Sequence, residues 1–183
     1  QFAGNAVRAT YDHFARFWYW GAGYTDRDEG FRADSGFVPR VDLRQANGYV
    51  QRRFWGTGSG WFTTFDVAVQ GNRATDHDGQ LTDNGVTFTA QYQGPLQSSI
   101  VGAVSRQNER YAGVMYDGTV GRVNVSIKPS GAVALQLNSR FGDSVDYTNN
   151  QQGTVIALGP GVEWKVGAPL NLQLTHSYER LSV

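Results

Sequence analysis

Residues 76–83 read Asp-His-Asp-Gly-Gln-Leu-Thr-Asp, the densest run of chemistry-bearing side chains in the chain. An Asp-x-Asp-Gly spacing offers the oxygen ligands that Ca²⁺ prefers, with Asp76, Asp78 and Asp83 as the candidates in a polar loop over residues 72–85. A complete EF-type loop needs more ligands and a terminal Glu, which this stretch lacks. Asp76, His77 and Asp78 also supply the groups of an acid–base hydrolase site. Such a site needs partners held within hydrogen-bond reach, and one adjacent triplet does not provide that geometry. No G-x-S-x-G nucleophile motif accompanies it. The expectation is a solvated loop at an outer rim, with no catalytic residue and no resident cofactor.

The remaining charges fall into small groups. Asp26, Arg27, Asp28 and Glu29, with Arg32 and Asp34, form a charged loop suited to meeting a polysaccharide or a partner. Arg52 and Arg53 are neighbours, so a strand must send them to opposite faces. On the polar face such a residue, or Arg40, pairs with an acid such as Asp66; on the apolar face an arginine near an interface snorkels. His176 is expected on the apolar face of its strand. The 183 residues carry 16 basic and 16 acidic side chains, which gives no pull toward nucleic acid. Cysteine is absent, which removes disulfides and thiolate metal sites.

Strands must position these groups. Residues 121–140 alternate polar and apolar on either side of Pro129-Ser130-Gly131. A three-residue turn sets Ile127 opposite Val133, Val125 opposite Leu135 and Val123 opposite Leu137, all on one face of a hairpin. Eight further strands are expected: 2–11, 15–25, Leu43–Trp55, 61–71, 86–93, 98–107, 154–166 and 170–180, with residues 108–119 a long segment carrying an apolar patch at Val114-Met115-Tyr116. The strand over 154–166 should bend at Gly159-Pro160-Gly161, because proline donates nothing to a ladder. Short turns near residues 13, 58, 95, 130 and 168 alternate with long polar stretches. That rhythm predicts an all-β, antiparallel, up-and-down transmembrane β-barrel, or a roughly ten-strand part of a larger one, spanning residues 1–183 as a single region.

In that barrel Val67, Val69, Phe88, Val123, Val125, Ile127, Val133, Leu135, Leu137, Leu172 and Leu174 face lipid. Trp55, Trp61, Tyr92 and Trp164, close to the short turns, form an aromatic girdle. Gln91, Gln93, Arg122, Asn124, Gln136, Asn138 and Gln173 line a lumen of mostly neutral hydrogen-bonding groups. With short turns at the periplasmic rim and long loops outside, both chain ends come to the outer rim. The expectation is an internal piece of a longer barrel, whose partners are the bilayer, lipopolysaccharide, the remaining strands or other chains, and a polysaccharide.

Residues 31–44, Phe-Arg-Ala-Asp-Ser-Gly-Phe-Val-Pro-Arg-Val-Asp-Leu-Arg, carry a resemblance through Phe31, Asp34, Gly36, Phe37, Val38, Pro39, Arg40 and Asp42, after a strand ending in Gly23-Tyr24-Thr25. The segment resembles a family of bacterial outer-membrane proteins. These join an N-terminal module like a family-9 carbohydrate-binding module to a C-terminal β-barrel region of unknown function. Residues 172–179 are similar to a strand of that region. The resemblance implies an outer-membrane anchor or channel portion of a larger, carbohydrate-related surface protein, and it implies no catalytic residues. The residues alone leave two alternatives: a secreted soluble β-barrel with an apolar ligand cavity, and a hydrolase at the outer rim.

Overall fold

The computed structural model describes residues 4–32, 40–58, 60–167 and 169–183. The strands are β1 (Ala6–Phe14), β2 (Trp18–Arg27), β3 (Leu43–Trp55), β4 (Thr64–Thr75), β5 (Leu81–Gly94), β6 (Ser98–Tyr111), β7 (Val114–Ile127), β8 (Val133–Asp146), β9 (Gln151–Val166), β10 (Leu170–Thr175) and β11 (Tyr178–Ser182). Each pairs antiparallel with its predecessor from β1 to β10, and β11 also pairs with β9. Among the described residues no helix occurs, and β1 has no partner beyond β2. The fold is an open, antiparallel, up-and-down sheet.

β10 and β11 are one strand in register. Leu170 faces Val166, Thr175 faces Gly161, and Tyr178 faces Leu158 without a slip. The interruption lies opposite Pro160, whose carbonyl accepts a hydrogen bond from His176 N at 3.0 Å but which has no N–H to return. β9 itself runs unbroken through Pro160, and its register with β8 does not shift. The expected bend is absent; the cost of the proline appears in the neighbouring strand instead.

The long polar stretches read as loops are largely strand. The connections at that rim shrink to residues 76–80, 112–113 and 147–150, beside the longer 28–42. Ala112 and Gly113, with φ of 47° and 82°, make a two-residue turn of the kind that matches strand twist. The opposite rim carries 15–17, 56–63, 95–97, 128–132 and 167–169. Loop length therefore does not sort by rim. Those strand ends are polar on both faces, as in Asp143, Ser144 and Asp146 of β8, so period-2 patterning vanishes there while backbone pairing continues.

The hairpin of β7 and β8 holds a second correction. Ile127 faces Leu135, Val125 faces Leu137 and Val123 faces Ser139, two residues away from the expected pairing. A shift of two keeps every side chain on its expected face; a shift of one would have inverted them all. The cause lies in the turn. Lys128 N donates to Leu96 O of the preceding connection, and Ser130 Oγ accepts from both Ala132 N and Val133 N. Residues 128–132 thereby leave the ladder.

One row of paired residues crosses the whole sheet: Asp12, Gly21, Tyr49, Gln70, Thr87, Ser105, Val120, Gly142, Val155 and Leu181. Asp12 stands two residues from Phe14, where β1 ends, and Val155 stands eleven from Val166, where β9 ends at the same rim. Leu181 is likewise eleven residues from Leu170. The row thus climbs about one residue per strand. With ~3.3 Å per residue and ~4.8 Å between strands, the strands tilt by about 35° against the line of turns.

Burial divides the faces. The buried residues Leu43, Thr64, Asp66, Ala74, Ser105, Tyr116, Val120 and Val155 all belong to the face of that row. Val120 is 2% exposed and Val155 1%. A single sheet with no second layer buries one face by curving around it, so this face is concave. The other face carries large apolar side chains in the open. Trp20, Val50, Val69, Phe88, Val104, Leu135, Ile156 and Leu174 are exposed, Leu174 by 73%.

Candidate functional site: the polar concave face

On the concave face β3 and β4 place Arg53 directly opposite Asp66. Arg53 Nε donates to Asp66 Oδ1 at 2.8 Å and Nη2 donates to Oδ2 at 2.9 Å. The third guanidinium nitrogen, Nη1, reaches the Tyr19 hydroxyl at 3.3 Å, and the ring of Tyr19 lies 5.1 Å from the guanidinium carbon. Asp66 is 4% exposed, while Arg53 keeps partial contact with solvent. Its neighbour Arg52 points to the apolar face, over the rings of Phe17, Trp18 and Phe54 at 5.2, 4.9 and 5.4 Å. The alternation of a strand divides the two arginines as expected, one to an acid and one to aromatic faces.

From Asp66 the row passes through Gln91, Val101, Asn124, Asn138 and Gly159. One step along the strands, Ala103, Arg122, Arg140 and Ala157 form the next row on this face. Arg122 and Arg140 are direct cross-strand partners. Neither takes part in a hydrogen bond or ion pair among the described residues, and Arg140 Nε is buried with no partner. An open groove of about 310 Å³ runs past both, floored by Ala157 and Gly159 and flanked by Asn124 and Asn138. A second groove of about 360 Å³ lies toward the 128–132 rim, lined by Ser126, Gln136, Glu163 and Gln173 among others.

The residues singled out from sequence fall as follows. Gln91, Gln93, Arg122, Asn124, Gln136, Asn138 and Gln173 share the concave face. Val67, Val69, Phe88, Val123, Val125, Ile127, Val133, Leu135, Leu137, Leu172 and Leu174 share the other. Tyr92 and Trp164 lie with them, whereas Trp55 lies on the concave side, opposite Thr64, and donates from Nε1 to Arg16 O. Trp61 is in the 56–63 connection, stacked on Tyr92 at 5.7 Å. Of the motif residues, Gly36, Phe37, Val38 and Pro39 lie outside the described residues, as does Asp34. Arg40 pairs with Asp83.

His77 does meet acids, but not the expected ones. Its Nδ1 lies 2.7 Å from Asp42 Oδ1, and its Nε2 lies 2.8 Å from Asp26 Oδ1 and 3.7 Å from Asp28 Oδ1. Asp42 Oδ1 also accepts from His77 N at 3.0 Å. A neutral imidazole has one N–H and satisfies one of these carboxylates; an imidazolium satisfies both. The bonds to Asp42 and then Asp26 accordingly raise the His77 pKa, and the backbone and side-chain bonds from His77 lower that of Asp42. Asp26, Asp28 and His77 are spaced as a divalent ion would want, with donor atoms within 4.8 Å of one another. When the ring carries both protons, it bridges Asp42 and Asp26 as an ion-pair knot that ties β2, the start of β3 and the 76–80 turn. Asp76 is occupied within its own turn, accepting from Gln80 N at 2.7 Å.

Sequence reasoning missed this knot because its partners lie 35 and 51 residues from His77. Alternation through Gln136 and Asn138 puts Arg140 on the polar face from sequence alone, but not opposite Arg122. No protein-family model, curated protein or solved structure matches the chain.

Proposed function

We propose that this chain forms the wall of an outer-membrane β-barrel, serving as the membrane anchor or channel portion of a larger surface protein connected with carbohydrate. The observation that carries the reading is the inverted burial. Large apolar side chains such as Trp20, Val50, Phe88, Val104, Leu135, Ile156 and Leu174 stand exposed on the outer face, while the concave face buries the polar Thr64, Asp66 and Ser105 beside the apolar Leu43, Ala74, Tyr116, Val120 and Val155. Water penalises that arrangement and a bilayer rewards it, because lipid meets the apolar face and solvent fills the polar lumen. A soluble barrel with an apolar cavity would curve the other way.

The tilt of about 35° supports the same reading, since closed barrels incline their strands by roughly 35–45°. The free edges of β1 and of β10 and β11 are where the remaining strands, or other chains of the assembly, pair. The neutral ladder of Gln91, Asn124, Gln136, Asn138 and Gln173 suits hydroxylated solutes. In this reading the rim carrying the 76–80, 112–113 and 147–150 turns faces outward, toward lipopolysaccharide and polysaccharide. The hydrolase alternative gains nothing, because Asp76 and Asp78 do not join His77 in the ion-pair knot.

The test is solubility and insertion. The purified chain should need detergent to stay monodisperse and should fold into vesicles. Val125→Arg should then cost about 2–4 kcal/mol in the bilayer, measured by reversible unfolding from vesicles. A chain that stays monodisperse in plain buffer ends the membrane reading.

A further inference from the structure

Two positive charges directly opposite each other on neighbouring strands repel, and the repulsion grows where water is partly excluded. Arg122 and Arg140 are in that position on the concave face. Elsewhere on this face the fold does supply acids to arginine, as Asp66 shows for Arg53. At the paired positions beside the Arg pair it supplies alanine, Ala103 next to Arg122 and Ala157 next to Arg140, while Arg140 also lines a cavity of about 200 Å³ with Glu109, Asp117 and Asp143, none of which ion-pairs with it. The carboxylates nearest on this face are otherwise placed, Glu109 three rows along β6 from Ala103. Glu109 accepts from the Tyr147 hydroxyl at 3.2 Å, and Glu179 stands beyond Ala157 on the edge strand. Neither pairs with an arginine of this row.

Arg140 Nε is the buried side-chain donor without an acceptor among the described residues. A buried, unsatisfied donor on a cation calls for an explanation, and an absent ion is one. The surroundings have the shape of a site. Ala157 and Gly159 leave room on the floor, Asn124 and Asn138 present amide donors and acceptors, and the groove volume of about 310 Å³ lies in the range of small-molecule sites.

We propose that Arg122 and Arg140 bind an oxyanion carried by a polar solute, a carboxylate or a phosphate. The paired guanidiniums hold the oxyanion in fork geometry, and Asn124 and Asn138 hydrogen-bond to its hydroxyls. The anion removes the cross-strand repulsion and satisfies Nε in one step. In the barrel reading this gives the lumen a preference for acidic over neutral sugars; the site itself does not depend on that reading.

The experiment is calorimetric titration of the full chain, in the medium where it is monodisperse, with glucuronate, inorganic phosphate and glucose. Glucuronate or phosphate should bind saturably and at least tenfold more tightly than glucose. Arg122→Gln and Arg140→Gln should each weaken that binding at least tenfold while the circular dichroism stays that of the wild type. Glucuronate against phosphate distinguishes a sugar acid from the free ion. As a second readout, phosphate should raise the thermal midpoint of the wild type and not that of either variant. Equal affinity for glucose and glucuronate, or anion binding that survives both substitutions, overturns the proposal. A chain that needs detergent but binds no anion loses this site and keeps the membrane reading; a chain that binds the anion in plain buffer does the reverse.

Discussion

Two parts of the concave face solve the same problem differently. Between β3 and β4, Arg53 has a bidentate acid, a tyrosine hydroxyl and an aromatic ring. Between β7 and β8, Arg122 has Arg140 opposite it and alanine beyond. The first arrangement is complete within the chain and holds the strands together. The second is incomplete and costs stability until something anionic arrives. A charge that the fold satisfies contributes structure, whereas a charge left open is available for recognition.

The comparison can be broken from the first side with the largest effect. Asp66→Ala leaves Arg53 half-buried without its carboxylate, and equilibrium unfolding should show a loss of about 3 kcal/mol. That substitution makes the β3–β4 region resemble the β7–β8 one, so added phosphate should recover part of the loss. The opposite exchange is smaller. Ala157→Glu places an acid beside Arg140, as Asp66 stands beside Arg53. It should stabilise the chain by roughly 0.2–1 kcal/mol and abolish anion binding in the same calorimetric titration. Smaller again, Arg122→Gln relieves the repulsion alone. It should raise stability in phosphate-free buffer by a few tenths of a kcal/mol, about the lower end for a cross-strand pair.

The His77 knot sharpens the contrast, because there a proton completes the charge balance. Its exposure makes this the weakest of the effects. The folded His77 pKa lies above the ordinary value of 6.5. Its contribution is therefore fully present below about 6.5 and is lost as pH rises through the raised folded value. Thermal melts should show a lower midpoint across that window, and His77→Gln should flatten the dependence. An unchanged pH profile in His77→Gln would remove the knot from the account of stability.

Much of this was legible without coordinates. Strict alternation in residues 86–93 and 121–127 assigns each side chain to a face, because a strand has period 2 whatever surrounds it. The pairing of Arg53 with an acid such as Asp66, and the turn at residues 95–97, were readable on the same local grounds. The strand ends over residues 72–75, 108–111 and 141–146 were not. Their side chains are polar on both faces, and pairing there rests on backbone hydrogen bonds that composition does not report. The ion-pair knot was illegible for another reason: Asp26, Asp42 and His77 come from three separate connections and strand ends, brought together only when the strands stack.

The sequence by itself determined that Arg122 lies on the polar face, with Asn124, Gln136 and Asn138, because parity is a local property. It did not determine what lies across from Arg122. The three-residue turn expected at Pro129-Ser130-Gly131 would have set Asn138 there, a neutral and satisfied pair. Lys128 N instead bonds to Leu96 O, the turn widens to residues 128–132, and the register moves by two. Arg140 takes the place of Asn138, and a contact between two neighbouring connections creates the unpaired cationic site.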